Sequence, residues 1–172
     1  VSRKKITDVM MLQSVVRFLA DNIGNISVIK RISDTMTSLG RKTTSHTIEN
    51  YVSALTDSYI FYPVQRYDAK GKQLLKTGQK LYLADVGLRQ VINGIKGGDL
   101  GHVLENIVYL ELARRGGEIY VGKAGDAEID FVVIIGEHKA YYQVSLSVRD
   151  ETTMQRELAP LKSISDNFPK YL

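Results

Sequence analysis

"SHTIENYVSALTDSYIFYPVQRYD", residues 45–68, changes period partway along. Ile48, Tyr51, Val52 and Leu55 recur at the three- and four-residue spacing that lines one face of a helix. From Ile60 the stretch "IFYPVQRYD" has the composition of a strand. A helix running into a strand makes this region mixed, and its neighbours follow from it. Upstream, "VMMLQSVVRFLADNIG" (9–24) carries Val9, Leu12, Val15, Val16, Leu19 and Ile23 at helical spacing, with Gly24 as its stop. "SVIKRISDTMTSLG" (27–40) offers Ser27 as N-cap, a stripe of Val28, Ile32, Met36 and Leu39, and an end at Gly40. Downstream, "AKGKQLLKTGQK" (69–80) reads as a basic, turn-rich loop, "LYLAD" (81–85) as a returning strand and "VGLRQVI" (86–92) as a short helix. "NGIKGGD" (93–99), rich in glycine, is the linker candidate.

Beyond it, "LGHVLENIVYLELARRG" (100–116) is helical, and Val103, Leu104, Ile107, Val108, Leu110 and Leu112 predict burial over much of its circumference. "EIYVGK" (118–123), "AEIDFVVII" (127–135) and "KAYYQVSLSV" (139–148) are strands, the last two joined by the turn "GEHK". "DETTMQRELAPLKSI" (150–164) is a helix with Asp150 as N-cap. Helix, three strands and helix make an α/β or α+β unit. The expected organisation is a first domain at 1–95 and a second at 96–172.

Composition narrows the class. Apolar residues make up 44% of the 172, enough for a packed core, and no apolar run reaches the length of a membrane span. The basic N-terminus is followed by no signal-peptide core, so a cytoplasmic protein is expected. Cysteine is absent, which excludes disulfides and thiolate zinc sites. His46, His102 and His138 lack metal-ligand spacing. Residues 1–95 hold 14 Lys and Arg against 7 Asp and Glu, whereas residues 96–172 hold 9 against 12. That asymmetry suggests modules with different partners, the basic one facing nucleic acid.

Three helices followed by a β-hairpin is the order of a winged helix, whose third helix enters the major groove while the hairpin touches backbone. Arg41 and Lys42 precede the third helix, and Ser45, His46 and Asn50 are expected to face outward. Lys70, Lys72 and Lys76 mark the hairpin tip as point charges for phosphate. The same architecture also serves protein docking and oligomerisation. Tyr59, Tyr62 and Tyr67 are expected to pack on the core, with base stacking as the alternative.

In the second module Glu105, Asp130, Gln143 and Ser145 form a constellation. Gln143 and Ser145 are expected on one face of a strand, Asp130 on its neighbour and Glu105 on the helix. A metal-dependent nuclease needs acids to hold a divalent ion and a cation close by. "LENIVYLELARRGGEIYVGKAGDAEIDFVV" with "YYQVSLS" resembles the C-terminal domain of a family of bacterial and archaeal AAA+ ATPases. In that family an ATPase core precedes a winged helix and a restriction-endonuclease-like domain of unknown function. "FLADNIGN", "GRKTTSHTIENYVSALTDSYIFYPVQRYD" and "KGKQLLKTGQKLYLADVGLR" extend the resemblance over nearly the whole chain.

No G-x-x-x-x-G-K-[ST] phosphate loop is present, so the resemblance implies a C-terminal part of a longer ATPase. ATP and Mg²⁺ would belong to that missing ATPase domain, itself a partner of this region. "DNFPKYL" resembles the family's approach to a further strand, which implies that Leu172 stops near its start. By the resemblance the helix acid is Glu105 and the strand aspartate Asp130. Gln143 and Ser145 stand where some relatives have an acid and a lysine. Gln143 brings no charge and Ser145 no cation, so the expected domain is degenerate and non-cleaving, without a cofactor of its own. The alternatives are a Mg²⁺- or Mn²⁺-dependent nuclease, with a lysine relocated to Lys123, Lys139 or Lys162, and a pure docking module.

Overall fold

A computed structural model describes residues 6–94 and 99–172. The chain falls into two compact units, Val1–Pro63 with Leu81–Lys96, and Val64–Lys80 with Gly97–Leu172. Most of the linker candidate at 93–99 lies outside the described residues. The element types make an α+β protein, with a mixed sheet and six helices among the described residues.

The first unit contains α1 (Val9–Asp21), β1 (Ile26–Ser27), α2 (Ile29–Ser38), α3 (Ser45–Asp57) and α4 (Val86–Asn93), with the start of β2 (Phe61–Asp68) and the end of β3 (Gln73–Leu83). Side chains cap three of its helices. Asp8 accepts from the Met11 N–H, Thr44 from that of Thr47 and Asp85 from that of Gly87. The expected stripes bury Val15 and Leu19 on α1 and Ile48, Tyr51, Val52 and Leu55 on α3. They meet Ile23, Ile32, Met36, Phe61, Leu81 and Leu83 in one core. Arg89 on α4 donates from Nε to the Ala20 carbonyl at 2.9 Å, which gives a buried guanidinium a partner at the end of α1.

α2 departs from expectation at both ends. Its N-cap position is Val28, without a side-chain cap, because Ser27 is taken into β1. Ile32 and Met36 are buried, but Val28 and Leu39 are 44% and 68% exposed. The ten-residue helix is short enough that the ends of its stripe overhang the core.

The second unit holds the remainder of β2 and β3 as an arm, then α5 (Leu100–Arg115), β4 (Glu118–Ala124), β5 (Ala127–Ile135), β6 (His138–Tyr142), α6 (Glu151–Lys162) and β7 (Lys170–Tyr171). Its strands lie in the order β3-β2-β4-β5-β6-β7. β2 runs parallel to β4, with Arg66 beside Val121 and Asp68 beside Lys123. β4, β5 and β6 are antiparallel neighbours, and β7 is parallel to β6. The run "FVV" is apolar without alternation because β5 is covered on both faces. Val132 packs with Tyr67, Tyr141, Leu161 and Ile164 on one face. Phe131 meets Tyr109 of α5 on the other, with ring centroids 6.3 Å apart. Gly122 sits at an irregularity in the β4–β5 register, where a Cβ would come within 2.9 Å of Ile129 and Val132 side-chain atoms.

Several expectations are corrected here. The sequence division placed residues 64–80 in the first module, whereas they belong to the second unit. The loop expected over 69–80 shrinks to 69–72, closed by Asp68, whose Oδ1 accepts from the Lys70 and Gly71 N–H groups at 3.0 Å each. β3 then begins at Gln73, because strand pairing overrides the weak strand propensity of Lys and Gly. The strand expected over 139–148 ends at Tyr142. On α5 the buried face is Glu105, Asn106, Tyr109 and Leu112, while Ile107 is 46% exposed. Tyr67 is in the core and Tyr62 is half-buried, but Tyr59 is 72% exposed.

Ile48 is fully buried on α3. Ile48→Ala is expected to lower stability by about 2–5 kcal/mol, because the vacated space cannot fully collapse. Urea unfolding followed by tryptophan-free far-UV circular dichroism measures it.

Candidate functional site

The second unit holds a charged cluster around a buried ammonium. Lys80, on β3, extends its ammonium to 2.8 Å from Glu105 Oε1 and 2.7 Å from Glu128 Oε1. Glu105 projects from the buried face of α5, and Glu128 stands near the start of β5. His102, nearly one helical turn before Glu105, has Nδ1 3.8 Å from Glu105 Oε2. Burial pushes the Lys80 ammonium down, but Glu105 and Glu128 together hold it above its ordinary value, so it stays charged.

Asp130 follows Glu128 by two residues and so shares its strand face. Its Oδ2 accepts from the Val144 N–H at 2.7 Å. That bond takes the backbone donor a longer β6 would have used in a ladder, which accounts for the strand's early end. Burial, then the charge on Glu105, raises Asp130 to about 7, against the Val144 N–H and Lys80, which act to lower it. Gln143 lies just past β6. Its Oε1 accepts from the Asp130 N–H at 3.4 Å, and its Nε2 donates to Glu157 Oε2 of α6 at 3.1 Å. The neutral amide thus serves as acceptor and donor at once, joining β5 to α6. Ser145 turns away, donating to the Ser147 carbonyl at 3.1 Å.

Glu105 and Asp130 therefore sit in one electrostatic cluster, Gln143 bonds to its edge, and Ser145 serves its own loop. None of the three candidate replacement lysines is bonded to these acids. Lys139 lies over the rings of Tyr67, Tyr141 and Phe168, 5.0–5.7 Å from their centroids, and 3.8 Å from Asp166. Lys162 donates to Gln155 at 3.2 Å. Lys123 acts electrostatically on Asp68. The lysine paired with Glu105 and Glu128 is Lys80, hidden from sequence reading because 69–80 looked like a loop. Its one signal was position, directly before the apolar run "LYL". Among the described residues no group of three or more Asp, Glu, His or Cys side chains converges as a metal site.

The residues expected to meet DNA fall in both units. In the first, Lys42, Ser45, His46 and Asn50 are exposed and Arg41 is half-buried. The Asn50 amide lies 3.3 Å from His46 Nε2 on the surface of α3. In the second, Lys70, Lys72 and Lys76 are exposed on the arm. Lys72 has φ 51, a left-handed conformation usually given to glycine.

Residues 2–99 match a family described as a domain of unknown function, DUF8612. The chain is 39% identical over 170 residues to an uncharacterized protein of Haemophilus influenzae, covering 99% of this chain and 42% of that protein. It is 29% identical over 171 residues to the uncharacterized protein MJ1544 of Methanocaldococcus jannaschii, covering 96% of this chain and 37% of that one. The chain thus spans about two fifths of the length of the curated relatives it matches. No solved structure matches it significantly.

The raised Asp130 pKa has a consequence for stability. Between the unfolded value and about 7 the folded state holds this proton more tightly than the unfolded chain. The contribution is fully present at low pH and is lost as pH rises through about 7. Asp130→Asn is expected to flatten that decline relative to wild type. Urea midpoints from pH 4 to pH 8 measure the difference.

Proposed function

The chain belongs to the DUF8612 family, and from that premise we propose that it is the recognition region of a longer AAA+ ATPase. In this reading the first unit is a winged helix, and the second is an endonuclease-like fold that contacts DNA without cutting it. The observation that carries it is the Lys80 ammonium between Glu105 and Glu128. A carboxylate that would hold a divalent ion, Glu105, is already paired with a cation from within the fold. Gln143 adds no charge, and Asp130 is committed to the Val144 N–H and is pushed toward its neutral form.

The arm supports the DNA-contacting role. Lysine occupies position 72 in a left-handed conformation although Gly71, beside it, has no positive φ. A charge kept at a place better suited to glycine fits a role for that charge outside the fold. The ATPase parentage rests on the sequence resemblance, and the greater length of the relatives is compatible with it.

A second reading starts from the same ammonium. Lys80 supplies, from an unexpected element, the cation that Ser145 lacks, as a metal-dependent nuclease would require. Incubation of plasmid and single-stranded DNA with Mg²⁺ or Mn²⁺ decides between them. Intact substrate is expected; cleavage that disappears in both Lys80→Met and Asp130→Ala would establish the nuclease instead.

Binding to duplex DNA is expected to be salt-sensitive and weakly selective, because it depends on counterion release. Replacing Lys70, Lys72 and Lys76 by Glu should abolish it, and each single neutralisation should reduce the salt slope by about 1. Fluorescence anisotropy across a salt series checks this. Absence of binding at low salt would leave a protein-docking or oligomerisation module as the better account.

A further inference from the structure

The arm of the second unit ends in a tip that is held against the sheet. β2 runs parallel to β4 as far as Asp68, which sits beside Lys123. The Ala69 N–H then donates to the Lys123 carbonyl at 2.8 Å, and Ala69 is buried with Ala124 and Ile129. Past this point the chain turns around one side chain. Asp68 Oδ1 accepts from the Lys70 and Gly71 N–H groups at 3.0 Å each. The turn is close enough that a Cβ at Gly71 would come within 3.0 Å of Asp68 Oδ2. Gly125, in the turn between β4 and β5, lies beside the tip: a Cβ there would stand 3.6 Å from the Lys70 ammonium.

Lysines of two elements therefore surround one carboxylate. The Gly71 N–H, then the Lys70 N–H and the charges of Lys123 and Lys70, hold the Asp68 carboxyl below its ordinary value, so it is ionised at neutral pH. For a phosphate contact this acid acts in two opposed ways. Its charge repels the phosphate that the lysines attract. Its hydrogen bonds fix the backbone that carries Lys70, so binding need not order the tip, a saving of about 3- to 10-fold in affinity. Removing the side chain thus has one sign if charge dominates and the other if position does.

We propose that the phosphate-contacting surface of the second unit spans the arm tip and β4, with Lys123 joining Lys70, and that Asp68 is its positioning residue. This surface rests on the DNA reading above and adds to it a cation from outside the arm. The test is fluorescence anisotropy of the full chain with duplex DNA across a salt series, on variants whose far-UV circular dichroism matches wild type. Lys123→Gln is expected to reduce the salt slope by about 1. Asp68→Ala is expected to weaken binding about 3- to 10-fold and to flatten the slope, although it removes a negative charge. Asp68→Asn, which keeps an acceptor oxygen, should restore binding to the wild-type level or above. An Asp68→Ala protein that binds as tightly as Asp68→Asn overturns the positioning role. An unchanged slope in Lys123→Gln overturns the shared surface, and decides it alone should Asp68→Ala not fold. Wild-type protein that binds no duplex at low salt overturns the DNA reading and this surface with it, an outcome distinct from either variant's failure.

Discussion

The second unit depends on one buried ammonium. Lys80 reaches two glutamates from different elements, Glu105 on α5 and Glu128 on β5. Taking charges out of water is costly, and only close pairing offsets it. Lys80 and Glu105 are both buried and so interdependent: breaking a buried pair by removing one partner costs about 3–5 kcal/mol, because the other charge is left uncompensated. The arm that carries Lys80 is therefore part of the second unit, although it is joined by chain to the first.

The same low-dielectric setting governs the remaining acid. Asp130 lies close enough to Glu105 for that charge to oppose its ionisation, and Lys80 offsets the opposition in part. Its carboxylate captures the Val144 N–H, which ends β6 and turns the chain out of the sheet. Gln143 then extends the network to Glu157 without adding charge. These acids tie an arm, a helix, a strand and a loop together.

Among the described residues, both non-glycine residues with positive φ are exposed, and they carry different chemistry. Lys72 is cationic on the arm of the second unit; Tyr59 is aromatic in the first. In each case the backbone would accept glycine more readily. At such positions the side chain does not follow the local backbone preference.

Periodicity, caps and turn residues were legible from the sequence because they depend on neighbours a few positions apart. The stripes of α1 and α3, the caps at Asp150 and the alternation of helix and strand needed nothing distant. The placement of Glu105 and Asp130 in one region was also legible, through the resemblance of their surrounding motifs. What required the tertiary structure was the identity of their partner. Lys80 and Glu105 are 25 residues apart, and nothing local marks that lysine for burial. Its neighbours Lys76 and Gly78 suggested a turn, and only pairing in the sheet made the segment a strand. Likewise, an exposed tyrosine and a core tyrosine look alike in sequence; Tyr59 and Tyr67 were separated by which backbone bonds closed the end of α3 and which strands enclosed the second core. Burial and charge pairing are properties of packed elements, so they become readable only when the elements meet.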